Sequence, residues 1–349
     1  MKHRLLFAAF AAALIASSVG HAQTPPRTGK PARVAIFFTS PPKSLIEYEK
    51  TFVGAMRDLG WIEGSTVVYD RAYAARELRQ HDERRAHAAA LVARKPDVIW
   101  LLSTVNARAV QEETKTIPIV GAAVSDVVRN KLAASLARPG SNFTGVTNIG
   151  WELGAKRLEL LNELMPNLTR VGVLVVRDAV RDDGGEPALN NSKQELALIE
   201  KTAKPRRIAV FAAEMKDPKD RDEAVVAAEA ALTQLAKQQV QAVLIPHLPM
   251  FQRYRRAILD AAEKRGIPAV GHRAYFADEG ALFAYSSVLD EQLRRSAVLV
   301  DKILRGTNPA EIPIEQPTRY ELVLNLKAAK TLGVTVPPEF LVQVTREVR

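Results

Sequence analysis

An internal echo constrains this chain more than any other feature. Arg33-Val34-Ala35-Ile36-Phe37-Phe38 is matched by Arg170-Val171-Gly172-Val173-Leu174-Val175. Pro96-Asp97-Val98-Ile99-Trp100-Leu101-Leu102 is matched by Val240-Gln241-Ala242-Val243-Leu244-Ile245-Pro246. Ile117-Pro118-Ile119-Val120-Gly121 returns as Ile267-Pro268-Ala269-Val270-Gly271, 150 positions later. The three pairs keep their order at nearly the same offset. Two similar α/β lobes with a cleft between them are therefore expected.

The local patterns agree. Residues 34–38, 98–102 and 171–176 are continuous apolar runs, as in strands buried on both faces of a parallel sheet. Residues 44–59 carry Leu45, Tyr48, Phe52, Met56 and Leu59 at helical spacing, and Gly60 follows as a stop signal. Strand, helix and strand alternate through residue 123, then again from 153 to 271, which predicts a doubly wound parallel sheet in each half. Gly140 and Gly145 are read as bracketing a turn before the second half begins. The lobe boundary is placed near residues 147–151, with return crossings near 286–287 and 315–317. The first lobe is then 31–147 plus about 287–316, and the second 148–286 plus about 317–349.

Lys2 and Arg4 precede an apolar run, residues 5–16, and Gly20-His21-Ala22 supplies small residues for a cleavage site. This pattern predicts an export signal, residues 1–22, cut after Ala22. The run is too short to span a bilayer, which takes about 20 residues. The chain has no cysteine. Disulfides, thiolate metal sites and a lipid anchor on cysteine are excluded. A soluble periplasmic protein is the expectation. The net charge of +10 becomes +8 once Lys2 and Arg4 leave. Basic residues alternate with acids, as in Asp82-Glu83-Arg84-Arg85, and no basic patch is interleaved with aromatics. A nucleic-acid partner is not expected.

Ligands of open α/β sheets bind beyond the carboxyl ends of the strands. In the first half those ends are Thr39-Ser40, Ser103-Thr104 with Asn106, and Ser125-Asp126. In the second half they are Arg177-Asp178, Pro246-His247, His272-Arg273 and Tyr285-Ser286-Ser287. Ser103-Thr104 opens a short helix, where hydroxyls and free amides suit a carboxylate. Capping alone is the other reading of that pair. Asp126 is placed either to hold a ligand ammonium or to stabilise a turn. His247 and His272 sit at equivalent strand ends, whereas His81 and His87 are read as solvated. No nucleophile elbow, P-loop or dinucleotide loop occurs, and no His/Asp/Glu cluster has metal-ligand spacing. No catalytic residue, metal or cofactor is assigned.

Five motifs then carry a resemblance. Residues 134–145, Ala-Ser-Leu-Ala-Arg-Pro-Gly-Ser-Asn-Phe-Thr-Gly, resemble SLARPGGNVTG of the ABC-transporter substrate-binding family that includes tryptophan/tyrosine-type binding proteins. Residues 156–161 resemble its KRLELLKE helix, 271–282 its GHREFVEAGGL segment, 300–306 its VDKILKG, and 315–327 its EQPTKFELVINLKTAK. The similarity spans the mature chain. It implies a type I periplasmic-binding fold whose lobes close on a small molecule and deliver it to an ABC permease in the inner membrane. It implies no catalysis and no cofactor, and the protein is expected to act as a monomer. In relatives the ligand resembles an aromatic amino acid, held by loops matching Ser103-Thr104 and Ser125-Asp126. This chain departs from the family at Val127, where proline is frequent, at Pro246-His247-Leu248-Pro249, at Tyr285-Ser286-Ser287, and across residues 177–186. A ligand-sensing subunit for a membrane receptor would share the same fold, and an exported α/β enzyme would require one of the missing catalytic patterns.

Overall fold

Alternate residues of a buried parallel strand must each find a helix, one on either face of the sheet. The computed structural model describes residues 29–42, 45–78, 80–176, 191–216 and 218–349. Its first half runs β1 (Ala32–Phe38), α1 (Ile46–Asp58), β2 (Val67–Tyr73), α2 (His81–Val92), β3 (Val98–Leu102), α3 (Thr104–Glu113), β4 (Ile119–Val124) and β5 (Phe143–Thr147). These strands form one parallel sheet in the order β2-β1-β3-β4-β5. Val34, Ile36 and Phe38 face a cluster with Phe52, Met56 and Trp100, while Ala35 and Phe37 face Ala88, Leu101 and Val110.

The second half continues with α4 (Gly154–Leu164), β6 (Arg170–Val175), α5 (Asn191–Ala203), β7 (Ala209–Glu214), α6 (Arg221–Lys237), β8 (Ala242–Leu244), α7 (Pro249–Arg253), α8 (Arg255–Glu263), β9 (Ala269–Gly271), α9 (Ala274–Asp278) and β10 (Phe283–Ser287). Next come α10 (Leu289–Leu304), β11 (Tyr320–Asn325), α11 (Leu326–Thr331), α12 (Pro338–Leu341) and β12 (Arg346–Val348). The second sheet has the order β12-β11-β10-β9-β8-β6-β7. Its β10–β11 pair is antiparallel, because the chain leaves for the first sheet after β10 and re-enters from that side.

Helix α10 is the clearest sign of the crossing. Its Leu293, Ala297, Val300 and Ile303 are buried against the first sheet, each larger side chain contributing about 1.5–3 kcal/mol. Trp100, stacked on Phe52 at 4.0 Å, donates its Nε1 proton to Ser296 Oγ on α10 at 2.8 Å. Trp61 Nε1 donates to Asp301 at 2.8 Å. The chain passes between sheets at residues 148–153, at 288 and at 315–319. Two of these crossings touch: Thr147 N donates to Glu315 O at 2.8 Å, and Glu315 N to Gly145 O at 2.9 Å.

Two local expectations are corrected. Gly145 does not bracket a turn but lies inside β5, paired with Gly121 of β4. His81 and His87 are part-buried rather than solvated, because α2 lies against α3. His81 Nε2 meets Glu112 at 2.7 Å, and His87 Nε2 meets the Ala72 carbonyl at 3.2 Å.

Candidate functional site

The carboxyl ends of the first sheet are drawn together by their own hydroxyls. Thr39 Oγ1 donates to Asn106 Oδ1 at 2.9 Å, and both residues are buried. Thr104 Oγ1 donates to the Ser125 carbonyl at 3.2 Å and accepts from Ser125 N at 3.0 Å. Four of the expected residues therefore act as two pairs that lock three loops into one rim. Ser103 is different. It precedes α3 but makes no side-chain cap, and its φ of 73° with ψ of 152° is a conformation that side chains rarely adopt. The Ser40 and Ser103 hydroxyls have no protein partner among the described residues.

Backbone strain concentrates at this rim. Ser103, Ala123 and Asp126 all have positive φ. Of the other four among the described residues, Lys95, Arg207 and Gln239 follow helices, where such turns are ordinary, and Lys131 lies in the turn after Asp126. Strain of about 1–3 kcal/mol per residue is usually retained where a site needs the geometry. Asp126 carries an ion pair to Arg129 at 3.2 Å. Burial raises its carboxyl pKa, and Arg129 opposes that shift.

The second lobe supplies the opposite wall. Asn148 Oδ1 accepts from Gly150 N at 2.7 Å, which orients the amide so that Nδ2 donates to His247 Nε2 at 3.0 Å. The His247 proton therefore belongs on Nδ1. The His247 and His272 rings meet edge to face at 5.0 Å. His272 Nδ1 donates to the Ile245 carbonyl at 3.3 Å, and its Nε2 is buried without a partner. Burial holds both imidazoles well below the usual histidine range, with Arg273 and Arg157 adding to the effect. Both are neutral at pH 7.

Beneath this wall lies a buried ion pair. Arg157 of α4 donates to Glu195 Oε1 of α5 at 2.5 Å, to the Gly150 carbonyl at 2.8 Å and to the Tyr285 carbonyl at 3.1 Å. Glu195 Oε2 accepts from His247 N at 2.8 Å. One pair thus fixes a lobe crossing, the exit of β8 and strand β10. Tyr285 stacks on Tyr320 at 6.0 Å. Ser286, expected to face a ligand, is buried and donates to Glu321 at 3.1 Å. Arg177 and Asp178 lie outside the described residues.

Sequence reasoning passed over several residues here. Trp151 lies in the first crossing and has a buried Nε1 with no hydrogen-bond partner. Glu152 is exposed to water beside Trp151. Desolvation pushes its pKa up to about 7, and the carboxylates of Asp126 and Glu195 add to it. Water screens part of that effect. An unfolded glutamate titrates near 4.3, so the folded state holds this proton more tightly, and stability falls as pH rises from about 4 to about 7. Glu152→Gln is expected to remove that decline. Its unfolding temperature should gain on the wild type between pH 5 and pH 8, and a constant difference across that range would disprove the assignment.

Across the mouth of the cleft, Arg253 of α7 pairs with Glu77 of the first lobe. Both are part-exposed, so the contact is worth about 0–1 kcal/mol. A cavity of about 560 Å³ lies beside the crossings, lined by Val146, Gln292, Arg295, Glu315 and Thr318, and none of the strand-end residues contributes to it. Among the described residues no three His, Asp or Glu side chains gather as a metal would need. No helix among them is long and apolar enough to cross a membrane.

The fold recurs in known proteins. Residues 33–348 match the profile of the ABC transporter substrate binding protein family. A tyrosine-binding protein of Clostridioides difficile is 24% identical over 291 residues, covering 83% of this chain and 78% of that protein. A conserved domain protein from Vibrio cholerae superposes with a TM-score of 0.75 at 24% identity, over 91% of this chain and all of that one. An ABC domain from Streptococcus pneumoniae in complex with L-Trp superposes with a TM-score of 0.71 at 20% identity, with the same coverage. At these identities the structural likeness fixes the fold alone.

Proposed function

We propose that this chain, which belongs to the ABC transporter substrate-binding protein family, captures a small molecule in the periplasm by closing two lobes and delivers it to an ABC permease in the inner membrane. It acts as a monomer, without catalysis. The first lobe is 31–147 with about 287–316, and the second is 148–286 with about 317–349. The observation that carries this reading is the strained rim of Ser103, Ala123 and Asp126 facing a wall braced by a buried ion pair.

In this reading Thr39, Asn106, Thr104 and Ser125 frame the ligand loops. Ser40, Ser103, Asp126, His247, His272, Tyr285 and Ser286 complete the site. The first candidate solutes are amino acids and other carboxylates. Support comes from the tyrosine-binding relative and from the similar fold found with L-Trp. Closure follows from differential affinity: a ligand that prefers the closed state by a few kcal/mol shifts the lobes toward it, and the weak Arg253–Glu77 contact adds little to that preference.

Thermal unfolding against a library of amino acids, carboxylates and vitamins tests it. A ligand at 100 times its Kd adds about 2.7 kcal/mol, a shift of several degrees. The same ligand should reduce the radius of gyration in solution scattering. No shift and no compaction with any member would overturn the binding reading.

A further inference from the structure

We infer that Arg273 is the anion anchor of the cleft, taking a carboxylate of the bound solute on its guanidinium beside the Tyr275 hydroxyl. This rests on the binding reading above and narrows the solute to a small organic acid.

Arg273 leaves the carboxyl end of β9, between buried His272 and α9. It is half-buried, and its guanidinium makes no hydrogen bond or ion pair among the described residues. Nearby arginines of the same lobe are all engaged. Arg253 holds Glu77, Arg255 holds Glu279 at 2.7 Å, and Arg256 holds Asp260. An arginine cannot shed its charge, so a guanidinium enclosed without an acceptor costs free energy that an incoming anion recovers. Two residues on, the Tyr275 hydroxyl is also buried without a partner. The unmatched guanidinium and hydroxyl are both donors, five N–H groups and one O–H, and a carboxylate accepts from such a fork in bidentate fashion.

Position supports the same reading. Tyr48, on α1 of the first lobe, lies within electrostatic reach of both Arg273 and Tyr275, so the pair faces the other lobe. The neighbouring carboxylate of Glu321 already accepts from Ser286. The charge balance favours a carboxylate over a phosphate. The single charge of the Arg273 guanidinium matches one carboxylate, whereas a phosphate dianion would bring a second buried charge without a partner.

The test uses the purified chain and its Arg273→Gln and Arg273→Lys variants, titrated by calorimetry. The probes are L-tyrosine, L-tryptophan and succinate, the decarboxylated amines tyramine and tryptamine, neutral arabinose, and inorganic phosphate. The wild type is expected to bind a carboxylate and not its decarboxylated partner. Arg273→Gln should weaken that binding about 10- to 100-fold, with partial recovery in Arg273→Lys. The ligand-free Arg273→Gln protein should unfold at or above the wild-type temperature, since it loses an unpaired charge. Unchanged carboxylate affinity in Arg273→Gln, or wild-type preference for an amine, arabinose or phosphate, overturns the anchor and leaves the binding reading standing. A wild type that binds no probe counts against both.

Discussion

Glu195→Ala is expected to cost about 3–5 kcal/mol, the usual penalty for removing one partner of a buried ion pair. Both side chains of the Arg157–Glu195 pair are 1% exposed, and the substitution strands a cation that cannot neutralise itself. For a chain of this size the unfolding temperature should drop by about 4–7 °C. Arg157→Met should be milder, because the carboxylate left behind can take a proton. Burial already pushes Glu195 upward, against the pull of Arg157 and of the His247 amide. Without Arg157 the folded state binds that proton more tightly than the unfolded state. Stability of Arg157→Met is then fully present below about pH 4, near the unfolded pKa, and declines as pH rises. A double replacement, Arg157→Met with Glu195→Leu, should regain much of the loss. Urea unfolding of the three variants checks the order. If Glu195→Ala falls within 1 kcal/mol of the wild type, the pair is not the brace described. Ligand affinity should fall with stability, because the same pair fixes Gly150, His247 and Tyr285.

The lobes were legible because parallel strands are buried on both faces and so read as unbroken apolar runs. Val34 to Phe38 and Val171 to Val175 are such runs, and the structure pairs each as a central strand. β5 escaped because Phe143-Thr144-Gly145 carries glycine where a strand usually carries a packing side chain, and that glycine answers to a backbone across the sheet. β12 escaped because Arg346-Glu347-Val348 has no apolar periodicity. It is a strand only through its pairing with β11.

The site divides in the same way. Strand-end hydroxyls could be named from topology alone, since the carboxyl edge of a parallel sheet is where ligands bind. Their partners could not. Thr39 meets Asn106 across 67 residues, and Arg157 meets Glu195 across 38. Arg273 shows the limit most clearly. The sequence has arginines at 253, 255, 256 and 273, and only the fold reveals that the last of these finds no carboxylate among the described residues.

Gly145→Ala is expected to be among the most damaging single-atom additions in the chain, and the reason explains a glycine that closes one of the recognisable motifs. Gly145 and Gly121 are register partners in the β4–β5 ladder. A Cβ on Gly145 would lie 2.2 Å from the Gly121 carbonyl oxygen and 2.9 Å from its carbonyl carbon and nitrogen. All three are backbone atoms, so no rotamer change relieves the clash and the strands must separate. Gly121→Ala meets side chains instead, Val124 at 2.6 Å and Phe143 at 2.9 Å, which can give way. Overpacking ordinarily costs about 1–3 kcal/mol. Gly145→Ala should reach or pass the top of that range, with Gly121→Ala below it. The displaced strand also carries the contacts to Glu315 that tie two lobe crossings together. Gly145→Ala should therefore broaden the distribution of lobe separations seen by solution scattering, as well as lower the urea midpoint. If it unfolds within 1 kcal/mol of the wild type and scatters identically, the close β4–β5 approach does not exist, and the contacts of β5 to Glu315 do not hold the crossings together.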